Sequence, residues 1–295
     1  MGAKILITGA TGNTGVSVVR FLSQQSGANE IILGVRNVEK AKETFAEFKN
    51  VSFRAFDFED QETFAGALKG IDRVFLLRPP HISDVDKYFG PLIAEIKRQQ
   101  ISEILFLSVQ GAEKSKVIPH NKIEKLIREA GLSYIFLRPS YFMQNLTTTL
   151  MHDITTKREI ILPAGDAKFN WIDIENIGEA AAILLNHFEE HKNRAYEITG
   201  LENESFKSVA AVINKAIANP IIYRNVNPIS FYNIKKREGM AGGLILVMIM
   251  LHFLPRFQKE PAISNFYEQL TGKKPANLGT FIAREKFKFE HIKNS

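Results

Sequence analysis

Through the first half of the chain, short apolar runs alternate with longer segments in which apolar residues recur at helical spacing. The runs are KILIT, EIILGV, VSFRAFD, DRVFLL, EILFLSV and SYIFLRP. Between them lie a segment from about Gly12 to Gln25, then NVEKAKETFAEF, DQETFAGALKG, SDVDKYFGPLIAEIKRQQ and PHNKIEKLIREAG. The runs are apolar throughout rather than alternating in polarity, which predicts strands buried on both faces. Strand and helix in turn, joined by short links, predict a parallel sheet covered on both sides; right-handed crossovers make it doubly wound, of the Rossmann type.

After Pro139 the rhythm changes. REIILPA, KFNWID, AYEITG and PIIYRNV read as short strands, and ENIGEAAAILLNHFEE and SFKSVAAVINKAIA as helices, followed by two short terminal helices. No linker, repeat or low-complexity segment interrupts the chain. The expectation is an α/β protein with a Rossmann-type domain over residues 1–150. A smaller α/β lobe, intertwined with it and on the substrate side, covers 151–295.

GMAGGLILVMIMLHFLP (Gly239–Pro255) is the most apolar stretch. Its continuous part, Leu244 to Leu251, reaches Leu254 only through His252. That is well short of the ~20 residues that span a bilayer. It is expected to be a buried or groove-covering helix, with no membrane role; a lid over a greasy substrate or a subunit contact is the alternative.

The 295 residues are 45% hydrophobic and 24% charged, an ordinary globular balance. There is no cysteine, which excludes disulfides, thiolate metal sites and a cysteine nucleophile. No metal site is expected. The first strand begins by Lys4, so no signal peptide is expected ahead of it, and a cytoplasmic location follows. The net charge is +6, but acids and bases are interspersed, as in RNVEKAKETFAEFKN. That is a solvated helix face rather than a nucleic-acid patch, though a mild positive balance suits an anionic cofactor.

Chemistry enters at ILITGATGNTG. A strand runs into Gly9, Gly12 and Gly15, and a helix follows. In that context the first glycine allows the tight turn, the second lets a pyrophosphate approach the backbone, and the third lets helix and sheet pack closely. The helix N-terminus supplies free N–H groups and the positive dipole end, and Thr11, Asn13 and Thr14 can add polar contacts. The spacing is G-x-x-G-x-x-G, and its place in a run of strand–helix units makes it a dinucleotide site. The second strand ends at Arg36 with no acid beside it, which favours a 2′-phosphate and hence NADP(H) over NAD(H). Asp57 and Phe58, after the third strand, fall at the adenine edge, or Asp57 caps the next helix. Leu76, Leu77 and Arg78 end the fourth strand over the cofactor ribose.

ILITGATGNTG, GVRNVEKA, SVQGA, PHNKIEKLIREAGLSYIFLRPSYFMQN and LTGKKPANLGTFI together resemble the NmrA-like branch of atypical short-chain dehydrogenases/reductases, over nearly the whole chain. The resemblance implies NADPH-dependent reduction of a quinone or another small conjugated molecule such as a dye. It also implies that Ser108, Pro139 and Tyr141 belong with the cofactor. Val109, Gln110, Phe142, Met143, Asn145 and Trp171 fall to the substrate pocket, with Asp173 a structural cap beneath it. Ordinary short-chain dehydrogenases carry Tyr-x-x-x-Lys on the helix after the fifth strand. Here the matching helix has His120 and Glu124, which share one face at i and i+4. His120, kept protonated by Glu124, is the candidate proton donor; it equally reads as a residue that only caps or lines the helix start. A non-catalytic NADP(H)-binding sensor is the alternative function. A nucleotide-sugar epimerase is a third, which the missing Tyr-x-x-x-Lys disfavours. A monomer or homodimer is expected.

Overall fold

The computed structural model describes residues 2–25 and 29–290. In chain order the first elements are β1 (Lys4–Thr8), α1 (Asn13–Gln24), β2 (Glu30–Val35), α2 (Val38–Thr44), β3 (Val51–Ala55), α3 (Glu62–Leu68), β4 (Arg73–Leu77), α4 (Val85–Arg98), β5 (Glu103–Leu107), α5 (Pro119–Glu129) and β6 (Ser133–Pro139). There follow β7 (Tyr141–Phe142), α6 (Met151–Thr156), β8 (Glu159–Leu162), β9 (Lys168–Ile172), α7 (Ile174–Asn186), α8 (Phe188–His191) and β10 (Arg194–Ile198). The last are β11 (Asn203–Ser205), α9 (Phe206–Asn214), β12 (Ile222–Asn225), α10 (Pro228–Arg237), α11 (Gly242–Phe253), α12 (Phe266–Thr271) and α13 (Leu278–Glu290).

The central sheet has seven strands in the order β10-β6-β5-β4-β1-β2-β3, and every pairing is parallel. Six of these strands are the six apolar runs. The seventh, β10, comes from the later half of the chain and pairs with β6 at the sheet edge. Its residues are only half covered, as an edge strand allows, so its sequence does not stand out as sheet core. Local signals set the helix starts: the side chains of Asn37 and Asp84 accept the amides of Lys40 and Lys87, and Pro119 opens α5.

The chain forms two compact units. The first holds residues to Pro139 together with Ile174–Ile198 and Phe266–Gly272, and so contains the whole seven-stranded sheet. The second holds Ser140–Asp173, Thr199–Asn265 and the chain from Lys273 onward. In the first, a core of Leu6, Ile32, Val74, Ile104 and Phe136 from the strands meets Phe64, Phe89, Ile93, Ile123 and Ile127 from α3, α4 and α5. In the second, β11-β9-β7 form a small sheet, and Trp171, Phe206, Phe231, Ile245 and Phe281 share its core.

One helix lies outside the sequence reading, and one expectation changes. Residues Pro228–Arg237 are a helix, α10, started by Asn227 and Pro228; only Phe231 and Lys235 on it are buried, so its apolar period is weak. And α11 is not a buried helix: only Ile245, Met248 and His252 are covered.

Helix α7 lies against α1 at a contact that admits no side chain. A Cβ on Gly178 would stand 2.1 Å from Ser17 Oγ, whose hydroxyl donates to the Ile174 carbonyl at 3.3 Å. Gly178→Ala is therefore expected to destabilise the protein by about 1–3 kcal/mol, the usual cost of an extra methyl in a packed contact. Gly66→Ala is the control. Gly66 is an exposed position of α3 with nothing within 4 Å of an added Cβ, and alanine there should stabilise by about 0.5–1 kcal/mol. Urea unfolding of both variants checks the contrast; equal effects would contradict the packing argument.

Candidate active site

Strand β1 ends with Thr8 buried. Its hydroxyl donates to the Phe75 carbonyl at 3.1 Å and accepts the Leu77 amide at 2.9 Å, which fixes the end of β1 to the end of β4. The chain then turns at Gly9, whose φ of +62° lies in the left-handed region that favours glycine. A Cβ on Gly15 would be 2.2 Å from the Gly9 carbonyl oxygen, so Gly15 is fixed by the loop it packs under. Gly12 is different. Its φ is −81°, and the one atom near an added Cβ is the Gly9 oxygen at 3.4 Å. Nothing in the protein demands glycine there.

The amide of Gly12 is satisfied by Gly9, and that of Val16 by Gly12. Between them the amides of Asn13, Thr14 and Gly15 have no acceptor among the described residues, and α1 has neither a side-chain cap nor an acid in its first turn. Thr11, Gly12 and Asn13 are exposed; Thr14 is buried. The result is a set of unpaired donors at a positive helix end, beside a glycine that leaves room for a ligand.

The neighbouring strand ends present the rest. Arg36 follows β2, exposed and without an ion-pair or hydrogen-bond partner among the described residues. Asp57 closes its own turn: Oδ1 accepts the Glu59 amide at 3.0 Å, and α3 starts after Gln61 with no side-chain cap, so Asp57 does not cap that helix. The Phe58 ring is a core ring, 4.9 Å from Phe56 and 5.3 Å from Phe89, so only its main chain is left for a ligand. Leu76 is fully buried, and Leu77 packs against the Gly9 turn.

The expected pair His120 and Glu124 has another role. Glu124 is fully buried. It accepts Arg138 Nε and Nη2 at 2.9 and 2.7 Å, Ser108 Oγ at 2.7 Å and Arg128 Nη2 at 2.7 Å. Burial alone would raise its pKa, but the bonds from Arg138 and Ser108, with the Arg138 charge, hold it below the ordinary carboxylate range. Glu124 thus ties α5 to the ends of β5 and β6, and Ser108 spends its hydroxyl on the same task. His120 instead lies beside Arg78, Nε to Nε2 at 3.4 Å, with the Phe106 ring stacked at 6.1 Å. Burial and the Arg78 charge push its pKa down to about 3, against a smaller opposing pull from Glu124. His120 is neutral at physiological pH, so the expectation of a histidine kept protonated by Glu124 is corrected. Arg78 has its Nη1 on the carbonyls of Pro79, Pro80 and Ile82, at 3.0, 3.2 and 2.6 Å. Sequence reading missed Arg138; an arginine inside the apolar strand SYIFLRP was the available signal.

Gln110 donates its amide N–H to the Pro139 carbonyl at 2.9 Å and its side chain to Glu197 at 3.0 Å; Val109 is half-buried. In the second unit, Tyr141 sits in a ring cluster, 4.8 Å from Trp171 and 5.4 Å from Phe169. Its hydroxyl is 3.0 Å from His252 Nε2, and His252 Nδ1 is 2.7 Å from the Met248 carbonyl. A carbonyl only accepts, so Nδ1 carries the proton and Nε2 accepts the phenol. Burial pushes His252 down to about 4 and Tyr141 well above its ordinary value. The Tyr141 hydroxyl is therefore engaged within its own unit and is not free for a ligand. Met143 and Trp171 are buried as well; the indole donates to the Glu204 carbonyl at 3.0 Å. Both line a cavity of about 140 Å³ with Leu201, Val212 and Leu278. That is below the ~300 Å³ of an ordinary ligand pocket. Phe142 and Asn145 are half-buried. Asp173, fully buried, receives Arg284 through Nη1 and Nη2 at 2.8 and 3.2 Å, and Gln144 at 2.6 Å.

Comparison with known proteins agrees with this frame. The chain is 32% identical over 285 residues to Prestalk A differentiation protein A of Dictyostelium discoideum, covering 96% of this chain and 92% of that protein. It is 31% identical over 225 residues to an NAD(P)H azoreductase of Xenophilus azovorans, 74% and 76% of the two chains. Quinone oxidoreductase 2 of Escherichia coli is 26% identical over 247 residues, 81% and 84% of the two. A solved structure of an NADPH-dependent quinone oxidoreductase from E. coli, complexed with NADPH, shares the fold. Its TM-score is 0.84 at 22% identity, covering 95% of this chain and 99% of that one. Residues 1–265 match the family described as NmrA-like. The chain belongs to the NmrA-like family.

Proposed function

We propose that this protein is an NADPH-dependent oxidoreductase that reduces a small conjugated acceptor of the quinone or azo type. The observation that carries the reading is Gly12, a glycine that neither its backbone angles nor its neighbours require, beside three unpartnered amides. A pyrophosphate at that point explains both. The amides of Asn13, Thr14 and Gly15 hold it, and Arg36 takes the ribose 2′-phosphate. The azoreductase and quinone oxidoreductase relatives support the same chemistry. When bound, the nicotinamide supplies a hydride.

The chain's own part is to hold and orient. Val109 and Gln110, half-buried just after β5, are the residues offered to the acceptor. No protein acid is assigned. His120 is neutral and hydrogen-bonded to Arg78 rather than charged, which suits an acceptor whose reduced form takes its protons from water.

The direct test is NADPH oxidation by the purified protein against a panel of quinones and azo dyes. Turnover with at least one is expected; tight NADPH binding with no turnover would move the reading to a sensor. Gly12→Ala should leave stability nearly unchanged and weaken NADPH binding about 10- to 100-fold, whereas Gly15→Ala should destabilise the fold. Equal losses of stability in the two variants would contradict the assignment. Arg36→Ala should cost about 10- to 100-fold in NADPH affinity with little change for NADH, the worth of one charge-assisted contact. Wild-type protein that binds both cofactors equally would overturn the preference.

His120 makes a pH prediction. Its pKa is about 3 folded and ~6.5 unfolded. Below ~6.5 the unfolded chain takes up a proton that the folded one refuses. Stability is therefore full above that pH and declines toward pH 3, by up to about 1.4 kcal/mol per unit from this group. His120→Gln should flatten that slope in urea titrations from pH 7 to pH 5, and should keep quinone turnover within about threefold of wild type, since general-acid help is worth ~10²-fold or more where it operates. A 10²-fold loss of kcat would restore the proton-donor role.

A further inference from the structure

Helix α11 buries one narrow face and leaves the other bare. Ile245, Met248 and His252 point into the second unit's core. On the opposite face Leu244, Leu246, Val247, Met250, Leu251 and Leu254 are each between 45% and 57% exposed, and Phe257, just beyond, is 73% exposed. The helix is about 18 Å long. No charged residue lies between Gly239 and Pro255. An uncharged apolar face rimmed by polar residues is the form that interaction surfaces take.

What covers it is indicated by the charges at its two ends. Lys236 and Arg237 close α10, just before the helix; Arg256 and Lys259 follow it. All four are exposed and have no ion-pair partner among the described residues. Arg256 stacks over Phe253 at 5.2 Å. The acids adjacent in sequence are already neutralised: Glu238 by Lys157 and Lys235, Glu260 by Lys168. The unit therefore presents an apolar bar with unpaired cations at both ends.

From this geometry we infer that α11 is a lipid-docking surface, which lies flat in the interface of an anionic bilayer with its cations among the headgroups. It is too short to span, and no helix of the described residues is long and apolar enough to cross a membrane. The expectation of no membrane role rested on length, and length excludes spanning but not surface contact. A second copy of the chain fits worse. A helix face about 18 Å by 10 Å offers roughly 180 Å², against ~800 Å² per partner in a stable dimer. Any twofold pairing along α11 would also set cations against cations at both ends. The inference stands apart from the cofactor reading, since no residue of that site lies on α11.

The test is flotation with phosphatidylcholine vesicles containing about a third phosphatidylserine, beside pure phosphatidylcholine. Binding to the anionic vesicles alone is expected. It should fall about fivefold for each of Lys236→Ala and Lys259→Ala, weaken as salt is raised, and be lost in Leu246→Asn/Leu251→Asn. These side chains are exposed, so every variant should keep the wild-type unfolding temperature, and the lysine variants test the idea without touching the apolar face. Equal binding to both vesicle types, or to neither, would overturn the inference. So would a concentration-dependent dimer in light scattering that Leu251→Glu dissolves, which would assign the face to a second copy.

Discussion

At the start of α1 the amides of Asn13, Thr14 and Gly15 have no acceptor among the described residues. A helix end normally recruits a serine, an aspartate or a chain turn to finish its hydrogen bonding. Here Gly12 stands at the capping position without a side chain, and the flanking Thr11 and Asn13 are exposed. Much of the first unit keeps that end open and rigid. Thr8 joins β1 to β4, Gly9 makes the left-handed turn, Gly15 lets α1 settle onto the loop, and Gly178 lets α7 clamp α1 from behind. The fold leaves one set of donors without an acceptor among the described residues and packs closely around them.

Buried charge is handled in two ways within the same unit. Arg138 and Glu124 satisfy each other, with Ser108, Arg128 and Glu113 completing the network. Breaking such a pair leaves a buried ion uncompensated, so the network fixes α5 to the sheet rather than taking part in chemistry. Arg78 has no carboxylate partner among the described residues; it is satisfied by three carbonyls and a neutral imidazole. The cation lowers the histidine's proton affinity, the histidine accepts the cation's N–H, and the site is left with a fixed positive charge and no mobile proton.

The fold was largely legible in the sequence because parallel strands buried on both faces write themselves as continuous apolar runs. SYIFLRP matches β6 residue for residue, and the glycine loop fell where the pattern placed it. Strand β10 was legible as a strand but not as part of the central sheet, since a half-covered edge carries little apolar signal. Side-chain partnerships were the least legible. His120 and Glu124 do share a helix turn, but Arg78 and Arg138, which act on their protonation alongside burial, come from just after β4 and from β6. No spacing along α5 announces them. Likewise the partner of the Tyr141 hydroxyl, His252, lies far along the chain, where no local spacing points to it.

The central claim is that the open amides of α1 are a phosphate site. The most direct measurement is amide NMR of isotope-labelled protein titrated with NADPH. The account predicts that the signals of Asn13, Thr14 and Gly15 shift most among backbone amides, with the Arg36 side chain moving for NADPH and not for NADH. Binding that leaves residues 12–15 unshifted would place the cofactor elsewhere and contradict it.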